Sequence, residues 1–151
     1  MPWSCGRIRL KELAVKSLFH FAYHVHDLAA ARGFYCGVLG CIEGRSTETW
    51  LDISFFGHQL SLHLGEPFAV TNTGKVGEHW VPMPHFGVVL EMPDWLALKA
   101  RLEDRRVDFV MVPTRRFVGT PGEQATMFFL DPSGNPIEIK GFTDWASVYA
   151  V

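Results

Sequence analysis

His20-Phe21-Ala22-Tyr23-His24-Val25-His26-Asp27 stands near the start of the chain, and His85-Phe86-Gly87-Val88-Val89-Leu90-Glu91-Met92 stands at its middle. Each half then closes on a Gly-led segment: Gly57-His58-Gln59-Leu60-Ser61-Leu62-His63 in the first, Gly134-Asn135-Pro136-Ile137-Glu138-Ile139-Lys140 in the second. Laid over each other, the two His-Phe pairs coincide and Ser61 falls opposite Glu138. His, His and Glu are metal-ligand types, and the position where the repeat breaks points to three protein ligands rather than four.

Working outward, His20–His26 alternates. Phe21, Tyr23 and Val25 point one way; His20, Ala22, His24 and His26 point the other, as on a two-faced strand. Asp27 reads as an N-cap, and the segment from Leu28 reads as a helix ending near Val38-Leu39-Gly40. Strands are expected at 41–46, 49–56 and 58–64, the last two joined by a tight turn at Gly57. The second half repeats the order: a strand over His85–Glu91, a helix opened by Pro93-Asp94, a strand over Val107–Val112, a polar loop over Pro113–Gln124, and strands over Ala125–Leu130 and Pro136–Gly141. Asp131-Pro132-Ser133-Gly134-Asn135 is strong turn chemistry between the last two. Each half therefore reads β-α-β-β-β, and neither unit buries its sheet alone.

The 151 residues suffice for one domain with a real core. Expected boundaries are a leader or peripheral helix over 1–17, a first module over 18–65, a linker with a loop over a site at 66–84, a second module over 85–142 and a tail over 143–151. A composition of 48% hydrophobic and 20% charged residues is that of a folded chain and excludes a disordered one. With 14 basic and 16 acidic residues the net charge is -2, which gives no electrostatic case for nucleic acid or an anionic membrane. No apolar run reaches the roughly 20 residues that cross a bilayer. Cys5, Cys36 and Cys41 form no C-x-x-C pair and are odd in number, so a reducing cytoplasm is expected.

The order of elements, together with His20…Asp27-Leu28…Phe34-Tyr35…Val38-Leu39-Gly40, Pro84-His85-Phe86 and Phe128-Phe129-Leu130-Asp131-Pro132-Ser133-Gly134-Asn135-Pro136-Ile137-Glu138, resembles the vicinal oxygen chelate superfamily. That superfamily includes glyoxalase I, the extradiol ring-cleaving dioxygenases, and the fosfomycin and bleomycin resistance proteins. Trp50-Leu51-Asp52…Phe55-Phe56-Gly57-His58-Gln59 and Gly122-Glu123-Gln124-Ala125-Thr126-Met127-Phe128-Phe129 are similar to a group of small bacterial extradiol dioxygenases. The resemblance implies an α+β fold, two tandem βαβββ modules forming curved mixed sheets around a metal-binding cavity. It places ligands on the first and fourth strands of the modules, hence at His20, Ser61, His85 and Glu138, and it implies a homodimer.

Two imidazoles and a carboxylate are the ligand set of the facial triad, which favours Fe(II) and admits Zn, Mn, Ni or Co. Ser61 is a weak ligand; Gln59 or His63, on its face, would replace it if the register slipped. Each residue also has a plainer reading. A lone strand histidine is usually solvated, and Glu138 between Ile137 and Ile139 would otherwise need a partner or solvent. His24 and His63 are candidate acid/base groups or rim residues. Arg115 and Arg116 are a candidate carboxylate clamp or part of a solvated loop, and Phe128 is a candidate cavity wall.

Three functions follow in order of preference. The first is an Fe(II) extradiol-type dioxygenase acting on a small, catechol-like aromatic. The second is a redox-neutral lyase, isomerase or thiol transferase, and the third a non-catalytic drug-binding resistance protein. Oxygen consumption separates the first from the second; ligand binding that survives metal loss marks the third.

Overall fold

A computed structural model describes residues 16–149, so the leader expected over 1–17 lies almost wholly outside the described residues. The first module comprises β1 (His20–Val25), α1 (Leu28–Arg32), β2 (Ile42–Ser46), β3 (Trp50–Phe55) and β4 (His58–Leu64). Asp27 caps α1 by accepting from the Ala30 N–H at 3.0 Å, as its side chain predicts. A π-helical turn over Gly33–Val38 then carries the chain to Gly40, whose φ of 81° ends it.

Between the modules the structure departs from the sequence reading. The expected linker holds a hairpin, β5 (Thr71–Val76) and β6 (His79–Met83), turning at Gly77. Its glycines and prolines read as a loop, yet Val81 is buried against Met111 and Phe128, with Val76 packed beside them. The second module follows: β7 (Phe86–Glu91), α2 (Met92–Asp104), β8 (Phe109–Arg116), β9 (Gln124–Leu130) and β10 (Pro136–Phe142). β8 runs four residues past Val112, so Arg115 and Arg116 lie on a strand paired with Ala125 and Gln124 rather than in a loop. In the tail, Trp145–Tyr149 forms a short 3-10 turn.

The two sheets have the same order, β1-β4-β3-β2 and β7-β10-β9-β8, with the first and fourth strands of each module parallel. Register confirms the sequence overlay. Ser61 lies opposite Ala22, and Glu138 lies opposite Gly87, two residues beyond the repeated histidine in each case. The fold is thus the α+β pair of βαβββ modules.

One apolar core joins both modules and both helices. Phe21 and Tyr23 of β1 meet Phe86 at centroid distances of 5.3 and 4.8 Å. Such aromatic pairs add about 1 kcal/mol each beyond the area they bury. Trp95 of α2 donates from Nε1 to the Ile139 carbonyl at 2.9 Å. A side chain at Gly141 would run into the Trp95 ring system, so β10 carries glycine where α2 crosses it.

Across the core runs a buried polar chain. The Tyr23 hydroxyl donates to Tyr35 at 2.6 Å, and the Tyr35 hydroxyl donates to Asp131 at 2.9 Å. Burial pushes both phenols well above their ordinary range, so both stay neutral. Asp131 also accepts from the backbone N–H of Ser133 and Asn135 and from the Asn135 amide, which reaches on to the His24 carbonyl at 3.1 Å. The Asp131–Asn135 turn thereby clips the second module to β1 of the first. Asp131→Ala removes four hydrogen bonds from a buried carboxylate and is expected to cost about 3–5 kcal/mol. Urea denaturation checks this: a loss below about 1 kcal/mol would show that the clip is incidental.

Candidate metal centre

Strand parity builds the site. On β10, Ile137 and Ile139 are fully buried in the core, so Glu138 between them faces the opposite side, where it remains 7% exposed. Its partner is His85, which immediately precedes β7 rather than lying within it. His85 Nε2 stands 3.0 Å from Glu138 Oε2. The other carboxylate oxygen accepts from the Thr126 hydroxyl at 2.6 Å, across the β9–β10 ladder. A Cβ at position 87 would collide with the Glu138 carbonyl, so glycine is required where β7 passes the carboxylate strand.

The imidazole is fixed on both sides. His85 Nδ1 lies 2.7 Å from the Pro82 carbonyl, an atom that only accepts, so Nδ1 carries the hydrogen; in the neutral form of the ring Nε2 then presents a lone pair. Phe128 meets the ring edge-on with centroids 5.0 Å apart. Phe128 is itself fully buried, so it backs the histidine and is no cavity wall for a ligand. Two lone-pair donors facing each other at 3.0 Å call for a cation between them, either a proton or a metal. Ligand atoms about 2.1 Å from a metal and at right angles sit about 3.0 Å apart, so the pair suits two adjacent positions on one ion.

His20 lies on the equivalent position of the first module, exposed on the face of β1 opposite the buried Tyr23 and Val25. Within one chain the structure does not bring it to His85 and Glu138: among the described residues no three His, Cys, Asp or Glu side chains are placed to share a metal. His24 and His63 are register partners and line a separate cavity of about 480 Å³ with Phe21, Glu66 and Phe68. His24 Nδ1 sits 3.1 Å from the Glu66 carbonyl, and the ring lies over Gly65, where a Cβ would strike it.

Ser61 donates its hydroxyl to Asp52 at 2.6 Å, and the Gln59 amide reaches the same carboxylate at 3.4 Å. Asp52, 8% exposed, also has Arg45 at 3.5 Å. The position opposite Glu138 is thus committed to an internal polar cluster. Asp52 escaped the sequence reading, although an acid between Leu51 and Ile53 carries the same signal as Glu138 between its isoleucines. Thr126 was missed as well, since a threonine on a strand announces nothing until the neighbouring strand is known; its hydroxyl reaches Glu138 diagonally, past its register partner Lys140.

The two candidate clamp arginines part company. Arg115 forms an ion pair with Glu123, whose carboxyl is held below its usual range by the Gly119 N–H and by Arg115. Arg116 instead lines a cavity of about 230 Å³ shared with His85, Glu138, Thr126, Gln124 and Lys140.

Comparison with known proteins agrees with this architecture. The profile of the Glyoxalase/Bleomycin resistance protein/Dioxygenase superfamily matches residues 17–139. A solved glyoxalase/bleomycin resistance protein/dioxygenase from Alicyclobacillus acidocaldarius is 30% identical, with a TM-score of 0.70 over 89% of this chain and 97% of that one. Two more distant structures share the fold. A lactoylglutathione lyase from Agrobacterium tumefaciens is 14% identical (TM-score 0.60, 92% of this chain and 100% of that one). A genomically encoded fosfomycin resistance protein from Listeria monocytogenes is 13% identical (TM-score 0.59, 84% and 93%). Among curated proteins none matches the sequence. The duplicated βαβββ modules and the profile match over nearly the whole chain establish that it belongs to the glyoxalase/bleomycin resistance protein/dioxygenase superfamily.

Proposed function

We propose that the chain is a divalent-metal enzyme with His20, His85 and Glu138 as ligands, acting as an extradiol-type dioxygenase on a small catechol-like aromatic. The observation that carries this is the His85–Glu138 pair: Nε2 and Oε2 stand 3.0 Å apart, while Nδ1 and Oε1 are already engaged by Pro82 and Thr126. That is how a ligand pair is held when each outer atom is fixed so that the inner atoms face a metal. The ligand count supports an open site, because the Ser61 hydroxyl and the Gln59 amide are both directed at Asp52. A metal held by two imidazoles and one carboxylate would keep positions for two substrate oxygens and act on them as a Lewis acid, and Fe(II) would add electron exchange with O₂.

His20 is read as coming from a second copy. Among the described residues β1 and β7 are each the last strand of their sheets, with one edge unpaired. Leu18, Phe19 and Trp145 stay exposed in the same chain. Closing edge on edge in a homodimer would give two sites, each with His20 from one copy and His85 with Glu138 from the other. His24 or His63, carried on the same face as His20, would accept the phenolic proton. The enzyme is assigned to a reducing cytoplasm, since Cys36 and Cys41 are free. No helix among the described residues is long and apolar enough to cross a membrane.

Protein purified without oxygen is expected to retain stoichiometric metal, with His85→Ala and Glu138→Gln losing it and Thr126→Val binding it about tenfold more weakly. Equal metal in wild type and His85→Ala would sink the ligand assignment. Co-expressed His20→Ala and His85→Ala chains are expected to recover metal, because a mixed dimer rebuilds one intact site. No recovery would place each site inside one chain.

The iron-loaded protein is expected to consume oxygen with a catechol under reducing conditions. Oxygen electrode traces that stay flat across a broad catechol panel would rule out the dioxygenase.

A further inference from the structure

The cavity beside His85 and Glu138 holds more positive charge than its carboxylate balances. Lys140 follows Glu138 by two residues on β10, so the two share a face about 6.5–7 Å apart along the strand. Arg116, at the end of β8, is paired with Gln124, and both line the same cavity under Val76 of the hairpin. Arg115, its neighbour, is neutralised by Glu123. Among the described residues neither Arg116 nor Lys140 has a carboxylate within ion-pair distance; Arg116 only lies over the Phe117 ring at 5.3 Å. Solvated cations are ordinary on a surface. These two differ in opening onto one cavity with the half-buried His85 and the buried Glu138, one on the strand that carries the carboxylate and the other on the strand beyond β9.

We propose that Arg116 and Lys140 form an anion subsite, so that the substrate carries a carboxylate on its aromatic ring in addition to the oxygens that meet the metal. The inference rests on the metal-enzyme reading for the position of those oxygens. An arginine fork binds a carboxylate bidentately and a lysine adds a point charge, which together reject a neutral isostere of the same shape. The strand spacing between Glu138 and Lys140 is on the scale of one substituted benzene ring. A catechol bearing a ring carboxylate would therefore span from the His85–Glu138 end to the cationic end.

Binding of 3,4-dihydroxybenzoate and of its primary amide to chelator-treated protein, followed by calorimetry, tests this without any turnover. Wild type is expected to bind the carboxylate at least about tenfold more tightly than the amide. Arg116→Gln and Lys140→Gln, both exposed positions, are each expected to lose about tenfold for the carboxylate and nothing for the amide. Lys140→Arg is expected to keep the preference. Equal binding of the two compounds by wild type, or a preference that survives both glutamine substitutions, overturns the subsite. Metal uptake measured on the same samples keeps the readings apart. A carboxylate preference without metal uptake would leave the subsite standing and remove the metal centre; metal uptake without the preference would do the reverse.

Discussion

The buried carboxylate of Asp131 is the constraint around which the two modules assemble. A carboxyl group 4% exposed is tolerable only if its oxygens are filled, and the chain fills them from both modules: Tyr35 from the first, and the turn amides and Asn135 from the second. Apolar packing between Phe21, Tyr23 and Phe86 supplies area but accepts many registers. Hydrogen bonds to Asp131 accept one. They fix where β10 begins, and the two-residue period of the strand then decides which side chains leave the core.

Glu138 inherits its position from that register. Once Ile137 and Ile139 enter the core, the carboxylate must face the other way, next to the histidine that precedes β7. The first module follows the same geometry with different chemistry. Ser61 occupies the equivalent place and turns its hydroxyl to Asp52, so the duplicated scaffold carries a His–Glu pair in one half and a closed polar cluster in the other. Duplication preserved the backbone, and side-chain substitution separated the roles.

Much of this was legible because it depends on local rules. Alternation in His20–Val25, the cap at Asp27 and the turn residues at 131–135 each constrain a few neighbouring residues, and all were visible in order. The overlay of Ser61 on Glu138 was legible because repeated strands keep their period. What stayed hidden depends on contacts between distant segments. The hairpin at 71–83 is polar and broken by glycine and proline, and two buried valines, Val76 partly and Val81 fully, are what seat it on Met111 and Phe128. Arg115 and Arg116 read alike in sequence. Only the register of β8 against β9, with Glu123 at the far side, gives them different partners. The pairing of Asp52 with Ser61 likewise needs the antiparallel register of β3 and β4.

The Pro82 carbonyl that holds His85 belongs to the hairpin whose Val76 lines the neighbouring cavity. Cavity wall and imidazole are therefore mechanically linked. Moving the hairpin would also withdraw the acceptor that keeps the hydrogen on Nδ1, and the ring would lose its orientation. One wall of that cavity and the orientation of the His85 ring are thus set by one segment of backbone. Relatives with hairpins of other lengths would have to retune both properties together.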